Sequence, residues 1–369
     1  MATRSLTDIS HMAAALGLAR RGLGTVWPNP SVGCVLVRQG RVIGRGRTAT
    51  GGRPHAETEA LAQAGELARG ADAYVTLEPC SHHGKTPPCA EALIEAGVAR
   101  VIVGAQDPDP RVSGRGLALL RDAGIEVVSG MLEEEAREVL AGFQCRVEKG
   151  RPLVTMKIAA TLDGRTATHT GESQWITGET ARARGHLLRA QSDAILIGSG
   201  TARIDNPLLT CRLRGLEDRS PIRIVVDSRL SLSLTSKLVA SARDIPLWLL
   251  TAEGNNPERL AAFDECGVEL IEVGRDSDGA LDLAAALGEL GERGLTRLLV
   301  EAGGHLAAAL LRKDLVDRLA WFHAPMLIGG DGLPAAVSFG TDKLSDAPCW
   351  RRLSAACLGT DMVEYLERV

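Results

Sequence analysis

Apolar residues follow two periods along the first part of the chain. An apolar residue every three to four positions is typical of an amphipathic helix, and a short apolar run between turn residues is typical of a strand. The first pattern predicts a helix up to about residue 23 and helices at 55–68, 89–95, 116–123 and 133–147. The second predicts strands at 32–37, 42–44, 73–77, 100–104 and 126–128. Alternating helices and strands favour a three-layer α/β domain with a central sheet.

A polar stretch at residues 148–152, Glu-Lys-Gly-Arg-Pro, ends this region with residues that stop a helix. Downstream, the same patterns predict strands at 153–160, 194–198, 222–227, 247–251, 268–273, 297–300 and 318–324, and helices at 179–190, 257–266, 281–290 and 304–311. A final strand at 361–366 is predicted to lie antiparallel to a neighbour. We therefore predict two α/β domains, residues 1–147 and 152–369.

Composition narrows the class of protein. Of the 369 residues, 45% are hydrophobic and 24% are charged, as in soluble globular proteins. With a formal net charge of -4, the protein lacks the broad positive potential that is typical of nucleic-acid-binding proteins. A small-molecule ligand is therefore expected rather than a nucleic acid. No apolar run approaches the length of a membrane span, and no secretory signal is recognisable. We therefore expect a cytoplasmic protein with eight reduced cysteines, six of them packed as small apolar groups.

The strongest chemical signal is a set of possible zinc ligands. His55-Ala56-Glu57 is followed by Pro79-Cys80 and, nine positions later, by Cys89. This order of residue types is that of the zinc deaminases, in which the second cysteine usually stands three positions after the first. One imidazole and two thiolates leave a fourth tetrahedral position open for water. The sequence thus predicts a catalytic zinc (Zn²⁺) site formed by His55, Cys80 and Cys89.

Charge counting predicts the role of Glu57. Zinc with two thiolates and a neutral histidine is formally uncharged, so it acidifies water less than an all-histidine site does. A separate base is needed, and Glu57 can take a proton from water and return it to the leaving amine. Two other interpretations stay open: a structural zinc site with His82 or His83 as fourth ligand, and a nucleoside or nucleic-acid deaminase.

Several segments resemble the bifunctional riboflavin-biosynthesis deaminase/reductase family. They are NPSVG at 29–33, EPCSHHGKTPPC at 78–89, QDPDP at 106–110, LDGR at 162–165, GESQWIT at 171–177, DNPLLT at 205–210 and VEAGG at 300–304. The resemblance covers nearly the whole chain. It implies a cytidine-deaminase-like zinc domain followed by a dihydrofolate-reductase-like domain that uses NADPH.

The implied substrate is a phosphorylated pyrimidine, a diaminopyrimidinone with a ribosylamine 5′-phosphate. The first domain would remove its 2-amino group, and the second would reduce the ribosyl group to a ribityl chain. By resemblance, Asn29 and Lys85 lie at the substrate-binding edge of the deaminase. Thr48 stands where relatives carry histidine, and homo-oligomers are common in the family.

The second domain shows less chemistry of its own. It lacks G-x-G-x-x-G, and Gly303-Gly304 between a predicted strand and helix suits either a phosphate contact or a tight turn. By resemblance, cofactor contacts fall on Ala159, Trp175, Thr201, Asp205, Ser228, Gly303, Gly304, His305, Leu306, Ala307, Ala308 and Ala309. Substrate contacts fall on Ser173, Arg189, Leu209, Arg212 and Glu301.

Five side chains of this domain receive more specific interpretations. Arg189 and Arg212 suit a bidentate phosphate clamp. Lys157 and Asp205 are the candidates for protonating or polarising the sugar. Trp175 suits either the wall of a nicotinamide pocket or a core position.

Overall fold

The computed structural model describes residues 6–83, 87–110 and 112–369. The chain divides into two compact units, Met1–Gly150 and Arg151–Val369. None of the helices in the described ranges is long and apolar enough to cross a membrane.

The first unit is a five-stranded sheet between two layers of helices. In chain order it forms α1 (Leu6–Gly22), β1 (Gly33–Arg38), β2 (Arg41–Arg47), α2 (Ala56–Ala64), β3 (Asp72–Leu77), α3 (Cys89–Glu95), β4 (Arg100–Ala105), α4 (Arg115–Asp122), β5 (Glu126–Ser129) and α5 (Glu133–Lys149). The strand order is β2-β1-β3-β4-β5. Strands β3, β4 and β5 are parallel, whereas β1 is antiparallel to both of its neighbours. The predicted three-layer architecture is confirmed.

Close packing against the sheet fixes the start of α2. A Cβ atom on Gly46 of β2 would lie 2.0 Å from the carbonyl oxygen of Ala56, so only glycine permits this approach. His55 is the extended N-cap residue of α2, and the helix ends at Ala64 before a 3-10 turn at Gly65–Ala68. The single helix predicted over 55–68 is therefore wrong at both ends. His55 precedes the helix, and the last four residues, from Gly65, form a 3-10 turn instead of an α-helical one.

The second unit contains a nine-stranded mixed sheet. In chain order it forms β6 (Leu153–Thr161), β7 (Arg165–Ala167), α6 (Glu179–Ala190), β8 (Ala194–Gly198), α7 (Ser199–Asp205), β9 (Ile222–Val226), α8 (Lys237–Ala240), β10 (Leu247–Ala252), α9 (Pro257–Glu265), β11 (Glu269–Val273), α10 (Leu283–Glu292), β12 (Arg297–Val300), α11 (Gly304–Arg312), β13 (Arg318–Ala324), β14 (Leu333–Pro334), β15 (Trp350–Leu358) and β16 (Asp361–Arg368). The large sheet has the order β11-β10-β9-β8-β12-β6-β13-β16-β15, and β7 pairs with β14.

The strand order places a topological switch in the middle of this sheet. After β6 the chain continues through β8, β9, β10 and β11 in one direction, and it then returns to insert β12 between β8 and β6. Strands β9, β8, β12 and β6 are parallel, so the segments that follow them meet at one edge. Ligands of open α/β sheets bind at the carboxyl ends of the strands beside such a switch.

Of the two strands in the C-terminal hairpin, β15 and β16, the sequence pattern predicted only β16. Strand β16 runs antiparallel to β13, as expected, but the pattern did not predict its partner β15. Most residues of β15 are exposed at the sheet edge, and they include small and charged residues rather than an apolar run. Cys357 in β15 and Cys349 directly before it are exposed, so the expectation that all six remaining cysteines pack as apolar groups is wrong for these two.

Candidate functional site

Three elements of the first unit bring His55, Cys80 and Cys89 together. His55 caps α2, Cys80 follows the end of β3, and Cys89 is the first residue of α3. Among the described residues they form the one group of three or more His, Cys, Asp or Glu ligand atoms within 4.8 Å of one another. His55 Nδ1 lies 3.3 Å from Cys89 Sγ and 3.7 Å from Cys80 Sγ.

These distances match a zinc ion. Zinc bonds of about 2.0 Å to nitrogen and about 2.3 Å to sulfur give tetrahedral edges of about 3.3 to 3.8 Å between ligand atoms. Both measured nitrogen-to-sulfur distances lie in this interval. The donor set of one imidazole and two thiols is also one that zinc prefers, so the residues fit the metal.

The two thiols need a nearby cation to ionise together. The hydrogen bond from Cys89 lowers the pKa of Cys80 to about 4, although burial opposes this shift. The contact with Cys80, together with burial, raises the pKa of Cys89. In addition, the backbone N–H of Cys89, at the start of α3, donates to Cys80 Sγ at 3.3 Å. The helix start therefore stabilises the Cys80 thiolate.

Glu57 lies beside this group in the first turn of α2. Its side chain is buried, and burial raises the pKa of Glu57 to about 7, with a further contribution from Cys80. A carboxyl group that titrates near neutral pH is suited to accept and return a proton. Proton transfer by Glu57 stays a prediction, and the position and pKa of this group suit it.

Neither neighbouring histidine completes a four-ligand set. His82 is exposed and lines the cavity, and His83 Nε2 lies 3.5 Å from Glu91 Oε2. Neither belongs to the three-ligand group. The described residues thus match a catalytic zinc site, which has three protein ligands, better than a structural one.

A cavity of about 220 Å³ opens in front of the ligands. Asn29, Thr48 and Glu57 line it, and Asn29 Nδ2 donates to the carbonyl oxygen of Gly52 at 2.7 Å. The Thr48 hydroxyl donates to the carbonyl oxygen of Pro30 at 2.9 Å and accepts from the N–H of Val32 at 3.0 Å. Thr48 thus fixes the backbone on both sides of Ser31. Lys85, predicted to contact substrate, lies outside the described residues.

Sequence reasoning assigned no role to four charged residues of this cavity. Asp107 and Asp109 are buried in its wall, and Arg53 and Arg146 also line it. Burial raises the pKa of Asp107 to about 6; the hydrogen bond from the backbone N–H of Asp109 opposes this shift, and the negative charges of Asp109 and Glu78 add to it. The QDPDP segment was a visible signal for the two aspartates. Arg53 and Arg146 belong to no recognised motif.

In the second unit, Arg189 and Glu301 form a closed ion pair. Arg189 Nε and Nη2 donate to the two carboxylate oxygens of Glu301 at 2.8 and 2.9 Å, and Nη1 donates to the carbonyl oxygen of Thr210 at 3.0 Å. Burial raises the pKa of Glu301, but Arg189 and Lys157 outweigh it and bring the pKa to about 2. Arg212 is exposed. The arrangement differs from the predicted Arg189–Arg212 phosphate clamp, because Glu301 already holds the guanidinium of Arg189.

Predicted cofactor residues gather at the switch of the nine-stranded sheet. Thr201 lies in α7, which follows β8, and Gly303 caps α11, which follows β12. A Cβ atom on Gly303 would lie 3.3 Å from Thr201 Oγ1, so these two segments touch.

The other predicted cofactor residues lie on neighbouring elements. Ala159 is on β6 and Ser228 follows β9, whereas residues 304–309 form the first turns of α11. Packing also explains why residue 304 is a glycine. A Cβ atom added there would lie 2.9 Å from the carbonyl oxygen of Pro334.

The remaining predicted residues occupy varied environments. Trp175 is 63% exposed and stacks on the guanidinium of Arg182, which lies 4.6 Å from its ring centre, so the core interpretation of Trp175 is wrong. Lys157 Nζ lies 5.7 Å from the ring centre of Phe322. Ser173 and Asp205 are exposed, whereas Leu209 is buried.

Two family models match the chain, one for each unit. Residues 6–105 match the cytidine and deoxycytidylate deaminase zinc-binding region, and residues 152–363 match the RibD C-terminal domain. The second match covers more than half of the chain.

Relatives match over almost the full length. The riboflavin biosynthesis protein RibD of Escherichia coli (strain K12) is 43% identical, with 98% of this chain and 99% of the relative covered. That of Aquifex aeolicus is 39% identical, with 98% of each covered. A solved structure of Acinetobacter baumannii RibD superposes with a TM-score of 0.86 at 36% identity, over 98% of this chain and 99% of that one. A Thermotoga maritima diaminohydroxyphosphoribosylaminopyrimidine deaminase/5-amino-6-(5-phosphoribosylamino)uracil reductase gives 0.84 at 34% identity, with the same coverage.

Proposed function

The chain belongs to the RibD family of riboflavin biosynthesis proteins, and we propose that it catalyses two successive reactions of that pathway. In the first unit, 2,5-diamino-6-ribosylamino-4(3H)-pyrimidinone 5′-phosphate is deaminated by hydrolysis. In the second, NADPH reduces the ribosyl group of the product to a ribityl group. The observation that carries the proposal is the three-ligand group with Glu57 buried beside it and a cavity in front.

Deamination replaces the exocyclic C–N bond with a C–O bond and releases ammonia. His55, Cys80 and Cys89 would hold a zinc ion, which would supply the Lewis acidity that makes water a better nucleophile. Glu57 accepts a proton from the attacking water and donates it to the departing nitrogen. Asn29, which lines the cavity, and Lys85 bind the substrate.

Reduction occurs at the carboxyl edge of the nine-stranded sheet in the second unit. When bound, NADPH would supply the hydride that adds to C1 of the sugar as the bond between C1 and the ring oxygen breaks. Its binding site comprises Ala159, Trp175, Thr201, Asp205, Ser228 and residues 303–309. Lys157 and Asp205 protonate or polarise the sugar oxygen, and the substrate is held by Ser173, Arg189, Leu209, Arg212 and Glu301. Support comes from the convergence of Thr201 and Gly303 and from the pairing of Arg189 with Glu301.

Glu57→Gln tests the assignment. The variant should retain zinc and lose roughly 10²- to 10⁴-fold of its deaminase rate, measured as ammonia release, because an amide cannot accept the proton. Reduction of supplied deaminated substrate, followed by NADPH absorbance, should persist. Glu59→Gln is the matched control, because Glu59 is exposed two residues later in the same helix. A zinc-replete wild-type protein that releases no ammonia would overturn the deaminase assignment, and loss of both activities in Glu57→Gln would contradict two separate sites.

We also propose a cytoplasmic location and a homo-oligomer. All eight cysteines are free, as expected in a reducing compartment. Light scattering of the purified chain tests self-association, and a monomer at micromolar concentration would contradict it.

A further inference from the structure

Glu78 directly follows β3, two residues before the zinc ligand Cys80, and it is 2% exposed. Its two carboxylate oxygens accept four backbone hydrogen bonds. Oε2 accepts from Asp107 at 3.3 Å and from Gly114 at 3.0 Å. Oε1 accepts from Gly116 at 3.0 Å and from Leu117 at 3.3 Å. The side chain therefore satisfies four buried or partly buried N–H groups that have no carbonyl partner in a regular element.

Two of these donors belong to the first turn of α4. The first N–H groups of a helix have no partner within the helix, and a carboxylate there also interacts favourably with the helix dipole. The start of α4 is pressed against the Glu78-Pro79 segment, because a Cβ atom on Gly116 would lie 2.0 Å from the carbonyl oxygen of Pro79. Glu78 thus joins α4 to the segment that carries Cys80.

Another donor, the N–H of Asp107, belongs to residues 106–110, which we call the acidic loop. This loop follows β4 and has no helix or strand of its own. Its side chains Asp107 and Asp109 are buried in the wall of the cavity that also contains Glu57 and Cys80. Within the loop, the N–H of Asp109 donates to Asp107 Oδ1 at 2.8 Å.

Both aspartates suit a diaminopyrimidine. The amino and ring N–H groups of such a substrate are donors, and a carboxylate offers only acceptors. Recognition of this kind depends on sub-ångström placement of the acceptors relative to the reacting carbon. That placement depends in turn on what holds the loop relative to Cys80.

We propose that Glu78 is a positioning residue for deamination, which holds the acidic loop so that Asp107 and Asp109 meet the substrate at a fixed distance from the metal ligands. The proposal rests on the deaminase function proposed above. Glu78 acts through the backbone, because both of its oxygens are engaged by N–H groups.

Glu78→Gln tests it. Glutamine keeps the size of the side chain but turns an NH2 group toward backbone donors, so the loop must shift. A displacement of about 1 Å can cost roughly 100-fold in rate. We expect kcat/KM for ammonia release to fall roughly 100-fold, mainly through kcat, while zinc content and the reduction of supplied deaminated substrate stay at wild-type levels. Glu78→Asp, which retains the charge on a shorter chain, should recover part of the loss. Glu95→Gln, at an exposed position of α3, is the matched control.

A Glu78→Gln variant with kcat/KM within twofold of wild type would overturn the proposal, and so would a loss that follows loss of zinc. If that variant does not fold, hydrogen exchange of the wild-type protein decides. The amides of Asp107, Gly114, Gly116 and Leu117 should be protected like those of β4, and exchange at the rate of exposed amides would contradict the anchor. Absence of ammonia release from the wild type would overturn the deaminase function itself, while the exchange data would still report on Glu78.

Discussion

The two units form their candidate sites by different means. In the first, three side chains within the short segment 55–89 point their ligand atoms at one another. In the second, the predicted residues are scattered from 157 to 309, and several of them lie where parallel strands end. The closest side-chain contact there, between Arg189 and Glu301, is an ion pair within the protein.

This difference follows from the chemistry of the two ligands. A metal ion requires particular side-chain atoms at fixed distances, so its ligands leave a recognisable pattern in the sequence. A dinucleotide binds largely to backbone N–H groups and to the shape of a sheet edge, which many sequences can form. The variants below test whether the two sites are as independent and as differently constructed as this comparison indicates.

The largest effect is expected for Cys89→Ser. Serine is a poor zinc ligand, so the variant should lose the metal and with it about 10³-fold or more of the deaminase rate, which corresponds to several kcal/mol of transition-state stabilisation. Metal analysis and ammonia release measure the two effects. Cys145→Ser, another buried thiol of the same unit, should retain zinc. A parallel loss of NADPH oxidation with deaminated substrate would show that the sites are not independent.

Glu301→Gln is expected to have the next largest effect, now in the second unit. It leaves the guanidinium of Arg189 without its carboxylate at a largely buried position, which costs about 3 kcal/mol of unfolding free energy. Urea denaturation at pH 7 measures this cost, and NADPH oxidation should fall while ammonia release persists. Glu289→Gln removes an exposed pair with Arg293 and should cost less than about 0.5 kcal/mol. Equal costs for the two variants would refute the closed ion pair.

The stability difference between the wild type and Glu301→Gln should also depend on pH. The pKa of Glu301 in the folded protein, about 2, lies below its ordinary value of 4.5. Its stabilisation is therefore complete above pH 4.5 and is lost as the pH falls through about 2. The difference in stability between wild type and Glu301→Gln should be constant from pH 7 to pH 5 and shrink toward pH 2. A difference that grows as the pH falls would contradict the sign of the shift.

Thr48→Val should have a moderate effect in the first unit. Valine has the same shape but leaves the carbonyl oxygen of Pro30 and the N–H of Val32 without their hydroxyl partner. Loss of about 1 to 2 kcal/mol from these hydrogen bonds should displace the neighbouring Asn29 and raise the deaminase KM roughly tenfold, with zinc retained. Thr48→Ser should restore the wild-type value. An unchanged KM in Thr48→Val would show that the segment is held by other contacts.

The smallest effect is expected for Trp175→Ala. Because Trp175 is exposed and stacked on Arg182, its removal should cost less than about 1 kcal/mol of stability and raise the KM for NADPH only a few-fold. Trp350→Ala is the control, because Trp350, on the edge strand β15, likewise stacks on an arginine, Arg368 of β16. If the two variants have the same KM for NADPH, Trp175 is not part of the cofactor site.

The pattern of apolar residues predicted most of the elements because burial imposes it directly. Helix α3 and strand β12 have the predicted bounds, and the metal ligands follow from their residue types and order. The pattern failed where burial gives no signal, as at the exposed strand β15. It also could not predict that Arg189 pairs with Glu301, since 112 positions separate them and either could face solvent.

By itself, the sequence determined which atoms are available to hold zinc and which segments must be buried, because ligand chemistry and apolar periodicity are local properties. Only the tertiary structure decided that Glu78 accepts hydrogen bonds from backbone N–H groups that lie 29 to 39 positions later in the chain. It also decided that the Thr48 hydroxyl holds the backbone beside Asn29. Such contacts depend on the order of strands in a sheet and on how closely helices approach it. Those are properties of the packed chain, and no short segment contains them.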